Sequence, residues 1–238
     1  MTDFHTHILP CMDDGSGSIR ESVSMLREET RQGIDTVVLT PHFYANENDI
    51  QTFLARRQQA WKHLIPFLPP RAPKLYLGAE VQYFDGISTA EDISLLRIQG
   101  SHLLLLEMPF CRWTDRMVED VLELNDRAEI QVVLAHIERY EPMQPRTLWQ
   151  ELCSRGVLMQ ANVSFFTGWK TRYRAMSMLS RGEIRFLGSD CHNMTSRPPN
   201  WDRLPRKAAA LAAENAAHVP SGNRKAPAGQ YRSSRQRI

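Results

Sequence analysis

The sequence predicts a single α/β domain in which the strands of a parallel sheet alternate with helices. Short apolar runs, partly β-branched, recur along the chain, and longer stretches with a helical period separate them. Glycines follow several of these stretches at the positions where helices should stop. Because seven such runs occur, and strand-helix barrels routinely reach 238 residues undivided, we expect one large barrel-like domain.

The predicted strands are short apolar segments bounded by polar, glycine or proline residues. In chain order they span Thr2–His5, Thr36–Thr40, Lys74–Gly78, His102–Glu107, Gln131–Ala135, Val157–Asn162 and Ile184–Gly188.

Helices are predicted in the longer stretches between these strands. The first opens after Ser18, which forms a candidate capping box with Glu21 three residues later. Helix stops are expected at Gly33, Gly156 and Gly182. The five predicted helices span Ile19–Gln32, Asp49–Ile65, Asp115–Ala128, Arg146–Arg155 and Arg172–Arg181.

The charge balance argues against a nucleic-acid-binding body. Hydrophobic residues make up 42% of the chain and charged residues 24%, which is ordinary for a protein with a buried core. The formal net charge is +2, but residues 219–238 contain five cationic side chains and no acidic one. The rest of the chain therefore carries a net charge of −3, and we expect no nucleic-acid partner.

Cysteine usage and the apolar runs indicate a cytoplasmic protein. The four cysteines show no paired spacing, and the N-terminus lacks the charged and apolar segments of a secretion signal. The longest apolar runs, residues 103–106 and 208–213, are far too short to span a membrane. We therefore expect a reducing compartment and no membrane span.

The main domain is predicted to occupy residues 1–204, because the body of the fold ends near Trp201–Leu204. The C-terminal segment, residues 205–238, is Ala-rich between Ala208 and Ala217 and then basic, with few apolar side chains. We expect a helix in the Ala-rich part and a disordered or altered tail after it.

Histidines and acidic residues recur where the predicted strands end, and this is the strongest functional signal in the sequence. His5 and His7 are two residues apart, so both can point at one cation from the first strand. In a parallel sheet all strand C-termini open on one face, where sites assemble from loops. The residues at or just after these ends are the predicted metal ligands, namely His5, His7, Asp14, His42, Glu80, Glu107, His136, Asp190 and His192.

This ligand set predicts a metal-dependent phosphoesterase. So many buried ionisable groups on one face would be unfavourable without a cation. Imidazoles and carboxylates without a thiolate set suit Mn²⁺, Fe²⁺, Zn²⁺ or Mg²⁺, and bridging carboxylates allow more than one ion. Several ions together can clamp a phosphoryl group and acidify a water molecule. The remaining histidines are expected to be structural or solvated, namely His63, His102 and His218.

Two arginines lie in the loops that carry predicted ligands. Arg139 and Arg197 are candidates to bind phosphate in a bidentate manner. Alternatively, either arginine pairs with Glu138, Glu141 or another surface acid.

A rival motif is the C-x5-R spacing from Cys191 to Arg197, typical of cysteine-dependent phosphatases in which a thiolate attacks phosphorus. No glycine that could wrap backbone amides around the anion lies between the two residues. Cys191 also lies between Asp190 and His192, whose i, i+2 spacing points the thiol away. The sequence therefore favours metal chemistry over thiolate chemistry.

Seven short motifs occur in a fixed order along residues 1–204. They are D-F-H-T-H-I-L-P at 3–10, D-D-G-S at 13–16, T-P-H at 40–42, G-A-E at 78–80, A-H-I-E-R-Y at 135–140, S-D-C-H-N at 189–193 and R-P-P at 197–199. This set resembles the bacterial protein-tyrosine phosphatases of the PHP (polymerase and histidinol phosphatase) superfamily, the manganese-dependent type of capsule and exopolysaccharide operons.

The resemblance implies a distorted (β/α)7 barrel with three metal ions, of which Mn²⁺ is favoured. It places the first ion on His5, His7, Glu80 and Asp190, the second on Glu80, Glu107 and His136, and the third on Asp14, His42 and His192. Phosphate would bind to Arg139 and Arg197, which with Asp190 are the predicted catalytic residues. The implied substrate is a phosphotyrosine protein, typically a membrane-associated bacterial tyrosine kinase, and self-association into a homo-oligomer is also implied.

Two alternatives stay open at this level. A PHP phosphatase for a small phosphate ester such as histidinol phosphate would use the same ligands. A catalytically degenerate metal-binding or kinase-docking module would keep the ligands without turnover. The segment after Pro205 departs from the family pattern, so an altered C-terminus is expected to affect stability or assembly more than chemistry.

Overall fold

The computed structural model describes residues 1–217, and the predicted basic tail with His218 lies outside these residues. The strands within them are β1 (Thr2–Thr6), β2 (Thr36–Leu39), β3 (His42–Phe43), β4 (Lys74–Leu77), β5 (Glu80–Gln82), β6 (Leu103–Glu107), β7 (Gln131–Leu134), β8 (Leu158–Asn162) and β9 (Phe186–Gly188). The α-helices are α1 (Ile19–Arg31), α2 (Ile50–Leu64), α3 (Asp115–Asp126), α4 (Arg146–Ser154), α5 (Val163–Thr167), α6 (Arg172–Ser180) and α7 (Arg206–Ala217).

The predicted strands and helices are confirmed, each with bounds that differ by no more than two residues. Sequence reasoning missed β3, β5 and α5. β3 and β5 are only two and three residues long, and each follows a two-residue break after β2 or β4. Segments this short show no periodic pattern of apolar residues, so their sequence does not identify them as strands. They nevertheless carry His42 and Glu80.

The start of α1 shows how closely the local sequence sets the fold. Ser18 accepts a hydrogen bond from the backbone N–H of Glu21 at 3.2 Å, as a capping residue should. The Glu21 carboxylate accepts from the N–H of Gly17 at 3.0 Å rather than from Ser18. The N-cap half of the predicted capping box is therefore confirmed, whereas the reciprocal bond goes to Gly17 instead of Ser18.

The strands form two parallel sheets. One has the order β1-β2-β4 and the other the order β3-β5-β6-β7-β8-β9. Beyond β9 the chain returns to β1, because the N–H of Asp190 donates to the His5 carbonyl and the N–H of His7 donates to the Cys191 carbonyl, both at 2.9 Å. The parallel sheet is thus curled, and the first and last strands meet.

Both faces of the curled sheet are buried, which explains why the central strands read as continuous apolar runs. Alternate residues of β6 point to opposite faces, so Leu104 and Leu106 pack in the large core beneath the helices while Leu105 packs in a smaller cluster. In that smaller cluster the rings of Phe4 and Phe186 stack with centroids 3.9 Å apart. This packing fixes the strands whose ends carry the site.

The segment after residue 200 is folded onto the body. The indole N–H of Trp201 donates to Asp3 at 2.7 Å, and helix α7 follows, with Ala208 fully buried against the core. The structured chain thus continues past the predicted boundary at residue 204. Among residues 1–217, no helix combines the length and apolar character that crossing a bilayer requires.

Candidate metal centre

The predicted ligands come together at the C-terminal ends of the parallel strands. β1 carries His5 and leads into His7 and the loop that contains Asp14, and β3 and β5 begin with His42 and Glu80. Glu107 ends β6, and the remaining ligands follow β7 and β9. Except for Asp14 and His42, all of them are at least nine-tenths buried. Elements far apart in sequence therefore place ionisable side chains in one small region.

Glu80 lies at the middle of this group. Its Oε2 atom is 2.9 Å from Nε2 of His5, 3.1 Å from Nε2 of His7 and 3.2 Å from Nδ1 of His42. Its Oε1 atom is 2.8 Å from Nε2 of His136. One buried carboxylate thus faces four imidazoles.

Three subsets have ligand atoms mutually within 4.8 Å of one another. They are His5, His7 and Asp190, then His42, Glu80 and Glu107, and finally His7, Asp14, His42 and His192. The pairing of Glu107 with His136 is also close, at 3.4 Å. The grouping implied by the resemblance is therefore compatible with these distances, and His7 and His42 each lie within reach of a second subset.

The donor atoms fit divalent cations. Nδ1 of His42 and Nε2 of His192 are buried, and among the described residues neither forms a hydrogen bond of proper geometry. Carboxylate oxygens of Glu80 and Asp14 nevertheless lie 3.2 and 3.4 Å from them. Nε2 atoms of His5 and His7 face each other at 3.1 Å beside the Glu80 carboxylate. Lone pairs and carboxylates gathered in this way need positive charge between them, and neutral imidazole with carboxylate oxygen is a donor set for Mn²⁺, Fe²⁺, Zn²⁺ or Mg²⁺.

The carboxylates around the imidazoles also perturb the pKa values of the cluster. Burial disfavours the imidazolium of His7, but hydrogen bonds to Asp13 and Glu80 outweigh it and raise the pKa of His7 to about 10. Burial is likewise overcome at His136, where Glu107 and Glu80 raise the pKa to about 9. Burial opposes the charged form of Glu80 as well, yet the surrounding imidazoles hold its pKa well below the usual range.

Several polar residues orient the ligands and were not predicted as site residues. Asp13 holds Nδ1 of His7 at 2.7 Å and accepts from the N–H of His42 at 2.8 Å. Tyr140 holds Nδ1 of His136 through its hydroxyl at 3.0 Å. Such contacts fix which ring nitrogen faces the centre.

Gln160 and Asn162 perform a similar task from β8. Gln160 Oε1 accepts from the N–H of His136 at 2.7 Å and lies 3.3 Å from Nδ1 of His5. Asn162 donates to Asp190 at 3.0 Å. In the sequence, these residues could have been recognised as two polar residues two positions apart in an otherwise apolar strand.

The backbone is strained at two of the candidate ligands. His136 has φ +28° and Asp190 has φ +54°, a region that non-glycine residues rarely adopt. Each is the second residue after a strand, where the chain must turn its side chain into the centre. Strain of this kind is concentrated at functional sites.

Arg139 and Arg197 both reach Asp190 rather than Glu138 or Glu141. Nη2 of Arg197 is 2.7 Å from Asp190 Oδ2, and Nη2 of Arg139 contacts the same oxygen. Asp190 Oδ1 lies 3.5 Å from Nε2 of His7. Asp190 therefore connects the imidazole cluster with the two guanidinium groups.

An exposed aromatic ring borders the same region. Phe110 is 56% exposed, and its ring lies 5.5 Å from that of Tyr140 and 6.1 Å from that of His136. The guanidinium carbon of Arg139 lies 5.9 Å from the Phe110 centroid. The arginine thus has an aromatic face as one neighbour and a carboxylate as another.

Cys191 points away from this region, in line with the sequence argument against a thiolate mechanism. The residue is fully buried, and its thiol lies 3.8 Å from Glu29. Burial and nearby carboxylates raise the pKa of the Cys191 thiol well above its usual range. The remaining histidines behave as predicted where described, since His63 is exposed and His102 contacts the Glu129 carbonyl at 3.0 Å.

A parallel α/β fold whose strand ends gather imidazoles, carboxylates and arginines defines a metal-dependent phosphoric ester hydrolase. The chain belongs to the CpsB/CapC family of capsular polysaccharide synthesis, whose family model matches residues 1–217.

Known proteins resemble the chain over most of its length. The tyrosine-protein phosphatase CpsB of Streptococcus pneumoniae is 32% identical over 215 residues, covering 84% of this chain and 86% of the relative. The tyrosine-protein phosphatase YwqE of Bacillus subtilis is 28% identical over 209 residues, covering 83% and 79%. A solved structure from work on YwqE and CpsB as metal-dependent tyrosine phosphatases matches with a TM-score of 0.72 at 24% identity, covering 90% of this chain and 87% of that one. The last match supports the fold.

Proposed function

We propose that this chain is a metal-dependent protein-tyrosine phosphatase that hydrolyses phosphotyrosine. The observation that carries the proposal is the convergence of four imidazoles on Glu80 beside Asp190, whose far oxygen binds two arginines. Relatives that cover most of the chain are named tyrosine-protein phosphatases, which supports phosphotyrosine as the ester.

The proposed ligands are the nine predicted residues, His5, His7, Asp14, His42, Glu80, Glu107, His136, Asp190 and His192. Divalent ions held by these residues would supply positive charge to phosphoryl oxygens and would lower the pKa of a water molecule. We assign three ions to this centre and favour Mn²⁺. The same donors are also compatible with Fe²⁺, Zn²⁺ or Mg²⁺. Asp13, Tyr140 and Gln160 hold the imidazoles in orientation by hydrogen bonds to their other ring nitrogen or backbone.

Arg139 and Arg197 bind the phosphate of the substrate in this proposal. Each guanidinium presents parallel N–H donors that match two phosphate oxygens, and both groups are already held at one carboxylate oxygen of Asp190. A phosphate dianion placed beside Asp190 therefore meets donors whose direction is fixed before it arrives. Such preorganised donors stabilise the charge that spreads over the transferred phosphoryl group.

Phe110 supports an aromatic ester. Its exposed ring lies beside Arg139, so a phenyl group attached to an arginine-bound phosphate can pack on it. An aliphatic ester of the same charge gains less from this contact. We therefore assign to Phe110 a part in selecting phosphotyrosine over alkyl phosphates.

The strand arrangement also bears on the type of barrel. The meeting of β1 with β9 supports a distorted (β/α)7 barrel if β2 with β3 and β4 with β5 are each counted as one strand. A membrane-associated bacterial tyrosine kinase as substrate, a homo-oligomer and a cytoplasmic location remain predictions that rest on the family resemblance and the sequence.

The test is turnover of a phosphotyrosine peptide by the full chain after chelation and after Mn²⁺ is restored. We expect turnover only with the metal, and at least about tenfold faster than for histidinol phosphate at equal concentration. Preference for histidinol phosphate would instead favour a small-ester phosphatase. Stoichiometric metal binding without turnover of either ester would identify a catalytically degenerate module.

A further inference from the structure

A second cationic feature lies next to the two phosphate-binding arginines. A cavity of about 340 Å³ beside Asp190 is lined by Arg139, Arg197 and also Arg203, together with serine, threonine and asparagine side chains. Asp190 is the acidic residue of this lining, and it already contacts Arg139 and Arg197. The cavity therefore has an excess of positive charge.

Arg203 differs from its two neighbours in having no acidic partner. Over the described part of the chain, its side chain forms neither an ion pair nor a hydrogen bond, and it is exposed to solvent at the cavity. Other arginines on the surface, such as Arg31 and Arg181, pair with nearby glutamates. Arg203 is thus a free cation at the edge of the candidate site.

The backbone that carries Arg203 is held rigidly. Trp201 is buried and its indole N–H donates to Asp3 at 2.7 Å, while Leu204 packs in the core on the other side. The N–H of Arg203 donates to the Asn200 carbonyl at 3.1 Å. Because its base is anchored on both sides, Arg203 loses less freedom on binding than an arginine on a mobile loop would.

We propose that Arg203 forms a second anion-binding subsite, which takes an acidic group of the substrate peptide near the phosphotyrosine. The proposal rests on the proposed function, since Arg139 and Arg197 are assigned to the phosphate that is cleaved. The ligand chemistry is a carboxylate of Asp or Glu, or the phosphate of a second phosphotyrosine. A guanidinium binds either group through paired N–H donors.

The shape of the feature favours a peptide side chain over an extended anionic surface. Arg203 shares one concave cavity with Arg139 and Arg197, together with the hydroxyl groups of Ser164, Thr195 and Ser196. A side chain that leaves the peptide close to the phosphotyrosine can enter such a cavity. The Ser164 hydroxyl can donate to it, whereas the hydroxyls of Thr195 and Ser196 already donate to Oδ1 of Asn193. The subsite would therefore select among phosphotyrosine sequences.

The experiment compares matched peptides on the metal-loaded full chain. Each peptide contains one phosphotyrosine and, within three residues on either side, an alanine, a glutamate or a phosphonomethyl-phenylalanine, which mimics phosphotyrosine but is not hydrolysed. The readout is the ratio of kcat/KM for each acidic peptide to that for the alanine peptide. The variants are Arg203→Ala and Arg203→Glu, with Arg206→Ala as control because Arg206 is exposed, lies nearby and does not line the cavity.

The wild type and the Arg206→Ala control should prefer one acidic peptide by about fivefold, the size expected for one ionic contact at a partly solvated site. Arg203→Ala should bring this ratio close to one, mainly through KM, and Arg203→Glu should reverse the preference. The ratios for the glutamate peptide and the phosphonate peptide are measured separately, so they show which anion the subsite binds. A ratio that is the same in wild type and Arg203→Ala would overturn the proposal.

Failure of the proposed function has a separate signature. A metal-loaded wild type that hydrolyses none of the three peptides would reject the phosphatase assignment. The subsite would then be tested by peptide binding, measured by fluorescence anisotropy. In these peptides phosphonomethyl-phenylalanine would also replace the phosphotyrosine. Equal affinity of wild type and Arg203→Ala for the acidic peptide would overturn it there too.

Discussion

Nη2 of Arg197 lies 2.7 Å from Oδ2 of Asp190, and the other oxygen of this carboxylate faces the imidazole of His7 at 3.5 Å. One aspartate thereby sets the distance between the candidate metal centre and Arg197, the proposed phosphate-binding cation. The backbone of Asp190 is strained, with φ +54°, so the fold holds this carboxylate in place against a local preference.

Arg197→Lys is the variant that tests the paired contact. Lysine keeps the charge but loses the planar fork, so we expect kcat/KM for a phosphotyrosine peptide to fall by roughly 10- to 100-fold with metal content unchanged. Steady-state kinetics and metal analysis on the same sample measure both. Arg155→Lys is the matched control, because Arg155 forms its ion pair with Asp126 on the surface. Wild-type kinetics in Arg197→Lys would remove Arg197 from the phosphate site.

Glu80→Gln should abolish metal-dependent turnover, with a loss of at least about a hundredfold, because the amide keeps the size of Glu80 but not the charge that faces four imidazoles. Metal content after dialysis should fall as well. Circular dichroism should report whether the fold survives. Glu119→Gln on the exposed face of α3 serves as the matched control.

Cys191→Ser completes this comparison, since a thiolate mechanism would make it the more damaging change. It should keep most of the activity because the Cys191 thiol is buried beside Glu29. Activity that survives in Glu80→Gln but disappears in Cys191→Ser would reverse our assignment.

Phe110→Leu should weaken selection for aromatic esters. An aromatic contact contributes about 0.5 to 1.5 kcal/mol, so the ratio of kcat/KM for phenyl phosphate to that for an alkyl phosphate should fall by about two- to tenfold. Phe67→Leu is the control, because Phe67 is equally exposed at 58% and lies in a turn after α2. An equal loss for both esters would show that Phe110 has no part in recognising the ring.

Metal binding should release protons. The pKa of His7 is raised to about 10 and that of His136 to about 9 in the metal-free protein, whereas a metal ligand must be a neutral imidazole. Apparent metal affinity should therefore increase between about pH 7 and pH 9, where both imidazoles are protonated before binding. Calorimetry in two buffers of different ionisation enthalpy counts the protons released, and a count of zero would contradict these pKa values.

The same two histidines set how the stability of the metal-free protein depends on pH. Their pKa values in the folded protein exceed the value of about 6.5 for an unfolded chain, so their contribution is complete below that pH. It is lost as the pH rises through about 9 and then about 10. The melting temperature of the metal-free protein should fall over this range. A melting temperature that rises instead would mean that the imidazoles are neutral in the fold.

The sequence was most informative where periodic patterns and chemistry coincided. The long strands and helices were predictable because the apolar period and the stop residues agree over many residues. The candidate ligands could be selected because they follow those strands, and their role as metal ligands stays a prediction. β3 and β5 were not predictable from a pattern of two or three residues. Asp13 and Gln160 escaped as orienting residues because an acid in a loop and a glutamine in a strand have many uses, and only the distances to His7 and His136 reveal theirs.

Gly188 has a consequence for how the protein is made. A Cβ atom added at Gly188 would lie 2.6 Å from the Cβ atom of His5, so the last strand docks on the first with no room for a side chain there. His5 and His7 leave the ribosome long before Asp190 and His192, which emerge only after nearly the whole sheet. A contact between residues so distant in sequence forms slowly, and a nascent chain halted before β9 would hold seven of the nine candidate ligands but lack Asp190 and His192. Metal acquisition is therefore expected to be among the final events of folding.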